Sequence, residues 1–499
     1  MLFNSLEFIF IFLPCALLAF YLTAYITKNS PLERLPYIVL LATSVAFYAC
    51  WDYHYLWLIF FSVTANFFFG KALCAISEKT KSKVVLSAAL LMNLGLLGYY
   101  KYTDFFITNL NMAVGSNFNL QHIILPLGIS FFTFTQIAFL VDIYRKELQT
   151  FTFLDYATTI TFFPHLVAGP ILFHHSMMPQ LQKKVRFKLD ECITGLTIFC
   201  VGLGKKVLLA DALGSYADPI FNAVALGFVP DAGEAWRAAL CYSLQLYYDF
   251  SGYSDMAIGL ALCLGLRIPL NFYSPYKAIN IGDFWRRWHI SLGVFLRNYL
   301  YIPLGGNRKG FSRKCVNLFI VMFLCGIWHG AGWTFVAWGA LHGLFMIINS
   351  VWLRLKKIPE AVPQYLRTGC ACFLTFLCVV AGWVLFRADT IDSALVILNA
   401  MIGNGMETSE RIRGGNSELA IVIGLLVAWL LPNVQQLFLS ASPSDNNYTD
   451  KKVFRPFQNI LWNKVDPAMA WGIFAACLFS FAISRIITST SETFLYFQF

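Results

Sequence analysis

Charge is what this chain most lacks. Its 499 residues hold 37 Lys and Arg and 27 Asp and Glu, 13% of the sequence, about half the share found in a typical water-soluble domain. That scarcity excludes an ordinary cytosolic enzyme. Long polar tracts are scarce too: the longest are Glu407 to Glu418 and Ala441 to Asn459, too short for an appended soluble domain. No fixed-period repeat or low-complexity tract occurs. Gly-x-Ser-x-Gly, Gly-x-x-x-x-Gly-Lys-Ser/Thr and His-Glu-x-x-His are missing, which leaves serine-hydrolase, P-loop ATPase and zincin chemistry without support. The 13 Cys have no zinc or disulfide spacing. Cys15, Cys50, Cys200, Cys263, Cys325, Cys378 and Cys477 lie in apolar runs, and Cys370-Ala371-Cys372 has the wrong spacing and apolar neighbours, so the thiols read as small buried hydrophobes.

What is abundant is apolar surface. Hydrophobic residues make up 58% of the chain, aromatics 17% with 48 Phe, and the mean hydropathy is +0.62, so lipid must be the solvent for much of it. Phe8 to Thr27, Leu35 to Trp51, Val84 to Tyr100, Ile123 to Val141, Thr368 to Phe386, Leu419 to Ser444 and Ala468 to Ser484 carry no Asp, Glu, Lys, Arg or His. Most match the roughly 17 to 25 residues a spanning helix needs. Cys315 to Leu353 has no charge and only two His, room for two passes joined near Gly330-Ala331-Gly332. The predicted fold is an all-α polytopic membrane protein of about eleven transmembrane helices plus re-entrant or half helices. It reads as one domain over 1–499, with N-terminal helices in 1–120, a catalytic core in 121–353 and C-terminal helices in 354–499.

The first apolar run follows Glu7 and exceeds a signal-peptide core, so it is expected to remain as a helix. Lys28 and Arg34, then Lys79, Lys81 and Lys83, then Arg145 and Lys146 place those loops in the cytoplasm and the N-terminus outside. Asp155 to Ser176 is expected to be a half-membrane or re-entrant segment, because Lys183, Lys184, Arg186 and Lys188 demand a cytoplasmic return a few residues later.

The net charge of +10 is uneven. Arg267 to Lys314 holds nine Lys or Arg against a single acid, Asp283. A cytoplasmic anionic partner follows from this bias, or alternatively a loop that binds lipid headgroups. Within it, Phe284-Trp285-Arg286-Arg287-Trp288-His289 mixes flat rings, guanidiniums and an imidazole, a set that can stack on a base and pair with phosphate.

Polar groups inside lipid are costly, about 2.5 to 3.5 kcal/mol for a charge on insertion scales, so those retained at depth usually have a task. Tyr247-Tyr248-Asp249-Phe250-Ser251-Gly252-Tyr253-Ser254-Asp255 interrupts an apolar stretch. The expectation favours two half-helices meeting at a break that lines a cavity, over one long helix with inward acids. In Ile327-Trp328-His329-Gly330-Ala331-Gly332-Trp333, a His sits among apolar and small residues, where a neutral imidazole can move protons. His342 reads as a core residue, able to share a site with His329 only if the chain turns between them. His289 could pair with His329 in acid-base work. A metal is not expected, since His165, His174 and His175 supply no ligand set with the usual spacing.

Leu125-Pro126-Leu127-Gly128-Ile129-Ser130-Phe131-Phe132-Thr133-Phe134 to Tyr144-Arg145, Ala168-Gly169-Pro170-Ile171, Tyr248 to Tyr253, Arg286 to His289 and Trp328 to Ala331 occur in this order. Together they resemble the membrane-bound O-acyltransferase family, in its bacterial branch typified by the alginate O-acetyltransferase membrane subunit. The likeness runs from the first helix to Tyr496 to Phe499, and includes Leu304 to Arg308 and Leu431 to Asn433.

The resemblance implies helices around a central funnel, with a thioester donor entering from the cytoplasm. It maps the family's invariant His onto His329 and its second important His onto His289, with Trp285, Arg286, Arg287, Trp288, Tyr248, Asp249, Ser251, Trp328, Gly330 and Trp333 as substrate-binding candidates. The acyl group in that branch is usually acetyl. Acetyl-CoA or an acyl carrier protein thioester is the implied donor, with no permanently bound cofactor and no metal. The implied partners are the lipid bilayer of the bacterial inner membrane, an exported polysaccharide and a periplasmic SGNH-type acetyltransferase; no nucleic acid is expected. In that reading His329 is a general base, and His289, Arg287 or backbone amides near Gly330 steady the oxyanion. Direct transfer is favoured over an acyl-enzyme, since no nucleophilic Ser or Cys is evident. The rivals are a transporter, disfavoured by the lack of matched Gly/Pro-interrupted halves, and a related enzyme that moves D-alanine toward teichoic acid.

Overall fold

The computed structural model describes residues 1–355, 363–406, 412, 414–438, 467–488 and 494–495. The polar tract Ala441 to Asn459 and the string Tyr496 to Phe499 lie outside the described residues. Among those described, eight helices are long and apolar enough to cross a bilayer, and Ile129–Tyr144, Ile391–Asn404 and Ser417–Leu430 are shorter apolar helices. The chain is an all-α polytopic membrane protein. It folds as two compact units, Met1–Phe199 with Tyr253–Pro269, and Cys200–Gly252 with Leu270–Phe499.

The first unit is built on α1 (Leu13–Ile26), α2 (Leu35–Asp52), α3 (Leu56–Ala75), α4 (Lys79–Val114) and α5 (Ile129–Tyr144). The residues that α1 turns outward are apolar, with Leu18 67% and Tyr25 80% exposed, as expected where hydrocarbon is the solvent. Inward, the rings of Phe3, Phe8, Phe47 and Phe163 pack together. Polar side chains within these helices bond to one another. Asn66 donates to Asn93 and to Gln136, and Ser62 donates to the same Gln136 oxygen at 2.7 Å. Side-chain amides thus join three helices that lipid alone would not drive together.

Asp155 to Ser176, anticipated as a segment that does not cross, is divided among α6 (Phe153–Thr161), α7 (Phe163–Leu166) and the start of α8 (His174–Leu181), none long enough to span. The buried carboxylate of Asp155 is met by Arg34. The thiols are mixed: Cys241, Cys263, Cys315 and Cys325 are buried, whereas Cys15, Cys50, Cys74, Cys370 and Cys477 are exposed.

The second unit takes the end of α9 (Leu189–Gly204), α10 (Asp211–Ala225) and α11 (Ala232–Cys263) as far as Gly252. It continues through α12 (Ile281–Arg287), α13 (Ile290–Leu296), α14 (Phe311–His329), α15 (Trp333–Leu355) and α16 (Gln364–Arg387). The last described helices are α17 (Ile391–Asn399), α18 (Ser417–Leu430), α19 (Val434–Phe438) and α20 (Pro467–Thr488).

The break expected at Tyr247 to Asp255 is not there: α11 runs on for 32 residues. Its acid has a counter-charge instead of a cavity. Lys206 Nζ lies 2.7 Å from Asp249 and 2.6 Å from Asp211, and both Lys206 and Asp249 are 2% exposed. The second oxygen of Asp249 accepts the Leu495 N–H at 3.0 Å, and Phe494 lays its ring 4.9 Å from the ammonium. Tyr248 donates its hydroxyl to the Gly424 carbonyl. Gly252 serves approach rather than interruption, since a Cβ there would stand 2.7 Å from the Gly202 carbonyl oxygen. Tyr248 and Asp249 are therefore both engaged in contacts within the unit. Removing one member of a buried ion pair typically costs about 3 to 5 kcal/mol. Asp249→Ala is accordingly expected to lower the melting temperature in detergent sharply while the surviving folded enzyme keeps its donor KM, checked by thermal unfolding alongside donor titration.

Candidate active site

Two passes joined by a three-residue turn bring His329 to its place. α14 ends on His329, the chain turns through Gly330, Ala331 and Gly332, and α15 starts at Trp333. The two helices touch backbone to backbone: a Cβ on Gly326 would be 2.4 Å from the Phe335 carbonyl oxygen, and one on Gly339 would be 2.7 Å from that of Met322. This approach sets Trp338 of α15 against the imidazole of His329, with ring centroids 5.1 Å apart. Phe386 of α16 closes another side at 5.2 Å and the adjoining Trp328 lies at 4.8 Å. His329 is 6% exposed. It faces the unit's own aromatic interior, not hydrocarbon.

The Trp285 to His289 string is divided by the structure. Asn280 caps α12 by accepting the Asp283 N–H at 2.8 Å, and Asp283 then binds Arg287 Nε at 3.0 Å. Arg287 is thereby committed to a structural pair, its side chain 14% exposed, whereas Arg286 is 60% exposed with a longer 3.4 Å contact to the same carboxylate. Trp288 is walled in by Phe284, Phe272 and Trp383. Trp285 donates its indole N–H to His342 Nδ1 at 3.3 Å. Because the chain does turn between α14 and α15, His342 and His329 both pack on Trp338. Nearby, burial and the positive Arg287 lower the amine of Lys277 to about 8.

His289 occupies the junction between α12 and α13 in a left-handed conformation, φ 46 and ψ 55. It is 1% exposed. Phe250 of α11 meets its ring edge-on at 4.8 Å, and Trp328 lies at 6.4 Å. The Trp328 indole therefore touches both imidazoles that the sequence singled out. Asn271 holds His289 Nδ1 at 3.0 Å.

Of the remaining candidates, Gly330 is buried beside His329, Ser251 is buried on α11, and Trp333 is 57% exposed. Sequence reasoning passed over Phe250, Asn271, Trp338, Trp383 and Phe386. The spacing of Trp338 and His342, one helical turn apart in a charge-free run, was a usable signal for one of them. Phe386 and Asn271 carry none, because their partners lie on other elements. Among the described residues no group of three or more His, Cys, Asp or Glu is placed to hold a metal ion.

Two buried imidazoles, His289 and His329, thus both lie against the Trp328 indole, in a chain rich in long apolar helices. The chain belongs to the membrane-bound O-acyltransferase family, whose model matches residues 118–385, and it is a multi-pass O-acyltransferase. It is 38% identical to a peptidoglycan O-acetyltransferase of Helicobacter pylori over all of this chain and 98% of that protein. It is 37% identical to a probable alginate O-acetylase AlgI of Azotobacter vinelandii over the whole of both. A teichoic acid D-alanyltransferase of Streptococcus thermophilus is 29% identical over 46% of this chain and 58% of its own length.

Gly330 links this geometry to a measurement. A Cβ there would fall 2.2 Å from the Phe335 ring, Phe335 packs on Phe386 at 5.0 Å, and Phe386 packs on His329. Gly330→Ala is expected to reduce acyl transfer at least about tenfold by displacing these rings, roughly 1.4 kcal/mol in the barrier. Adding Phe335→Leu should recover part of it, read as turnover of the single and double variants.

Proposed function

We propose that this enzyme moves an acetyl group from a cytoplasmic thioester, acetyl-CoA or an acyl carrier protein, across the bacterial inner membrane to hydroxyls of an exported polysaccharide. A periplasmic SGNH-type acetyltransferase is the partner that completes delivery where transfer to the glycan is not direct. The observation that carries the reading is His329, held at the end of α14 between Trp328, Trp338 and Phe386. Full-length likeness to two O-acetylating relatives supports acetyl over D-alanyl, since the D-alanyltransferase resembles only about half of the chain.

In the reaction, the acceptor oxygen forms a bond to the thioester carbonyl carbon as its proton passes to neutral His329. The tetrahedral intermediate then releases the thiolate with its electron pair, and the imidazolium returns the proton to sulfur. Nothing is oxidised or reduced, and no permanently bound cofactor or metal enters. Aromatic walls keep water from the thioester, which protects it from hydrolysis. Substrate contacts fall to Trp285, Trp288, Trp328 and the exposed Arg286, with Arg287 holding its neighbour Asp283.

General-base assistance contributes about a hundred- to ten-thousandfold. His329→Ala is expected to remove that factor from glycan acetylation while the variant inserts and folds; purified variant with wild-type transfer would exclude His329 as the base. Arg286→Glu is expected to raise the donor KM without changing the acceptor KM, and equal donor affinity in a direct binding assay would exclude Arg286 from donor recognition. Mass analysis of surface polysaccharide from cells with and without the protein identifies the acceptor.

A further inference from the structure

His289 is one of four non-glycine residues with positive φ in the described chain, a backbone state that costs on the order of 1 to 3 kcal/mol unless its surroundings enforce it. The enforcement comes from Asn271, which is fully buried. Its backbone carbonyl accepts the Ile290 N–H at 2.9 Å. Its side-chain Oδ1 lies 3.3 Å from the Ser291 backbone nitrogen, 2.9 Å from Ser291 Oγ and 3.0 Å from His289 Nδ1. Three successive residues, 289 to 291, are thus fastened to one asparagine.

The Ser291 contact also settles which way the amide faces. A backbone N–H can only donate, so the atom it meets must be the Asn271 oxygen, whatever the usual ambiguity between amide N and O. An oxygen can only accept, so the ring nitrogen it meets, Nδ1, must carry the proton. Neutral imidazole has one N–H, which leaves Nε2 with its lone pair.

We infer that Asn271 is a positioning residue for this reaction: it fixes His289 as the Nδ1–H tautomer, so that Nε2 meets the reacting groups as an acceptor. The inference rests on the acyl-transfer reading and refines it. A neutral His289 accepts a hydrogen bond or proton through Nε2 and does not steady the oxyanion, which assigns that task to other donors. The ring is faced by Phe250 of α11 and Trp328 of α14, besides Asn271 and Ser291. The ionisable groups next along these contacts are Asp249 with its partner Lys206, beside Phe250; His329, beside Trp328; and Arg287 with its partner Asp283.

Asn271→Asp tests this. It preserves the acceptor oxygens, and the three donors around it hold the new carboxylate ionised. That negative charge favours the imidazolium of His289, so His289 loses its proton only at higher pH. The acid limb of the kcat/KM profile is expected to move up by about one to three pH units, with activity restored on the alkaline side. Asn271→Ser, too short to reach the ring, is expected to lower kcat at least about tenfold with the donor KM unchanged, roughly 1.4 kcal/mol in the barrier. A folded Asn271→Asp enzyme whose profile overlies the wild type overturns the inference, as does a shift that survives in an Asn271→Asp/His289→Gln double variant. Wild-type protein that fails to transfer acyl groups from any thioester sinks the acyl-transfer reading instead, so the two failures are told apart.

Discussion

The candidate active site depends on the contact between α14 and α15. Those helices approach so closely that only glycine fits at 326 and 339, and a helix pair in lipid gains its association from such packing because there is no water to expel. The contact fixes how far Trp338 reaches over the end of α14. Trp338 in turn packs on both His329 and His342, and His342 accepts from Trp285 of the neighbouring basic string. A geometry set by absent side chains is thus transmitted through aromatic rings to the imidazole of His329.

Much of this was legible in the sequence, and the reason is the solvent. Charge-free runs mark spanning helices because hydrocarbon tolerates few alternatives, so α1, α2, α4, α14, α15 and α16 stand out as composition alone. The turn at 330–332 was visible as small residues dividing a run too long for one pass. His329 was visible because an imidazole in such a place is conspicuous.

What stayed hidden was pairing. Asp249 looked like a reason for an aqueous break because its partner, Lys206, lies in a different helical stretch, Leu189–Ala225, with no local sequence signal to link the two. Arg286 and Arg287 looked equivalent as neighbours, yet successive helical positions point about 100° apart, and only Arg287 is drawn fully onto Asp283. The role of Asn271 had no local signature at all, since a single amide in a loop says nothing about the residue it will hold. Sequence reveals what a group is; which group answers it is decided by the fold.

The ammonium of Lys206 also bears on how the protein is made. A lysine released alone into hydrocarbon is penalised, as is a lone aspartate, whereas inside the fold Lys206 lies between two carboxylates, Asp211 and Asp249. Asp211 follows Lys206 in the same stretch of helix, so the cation has a counter-charge within its own segment before α11 is made. The group left in need of a partner is Asp249, synthesised later on α11, and Lys206 is already in place to receive it.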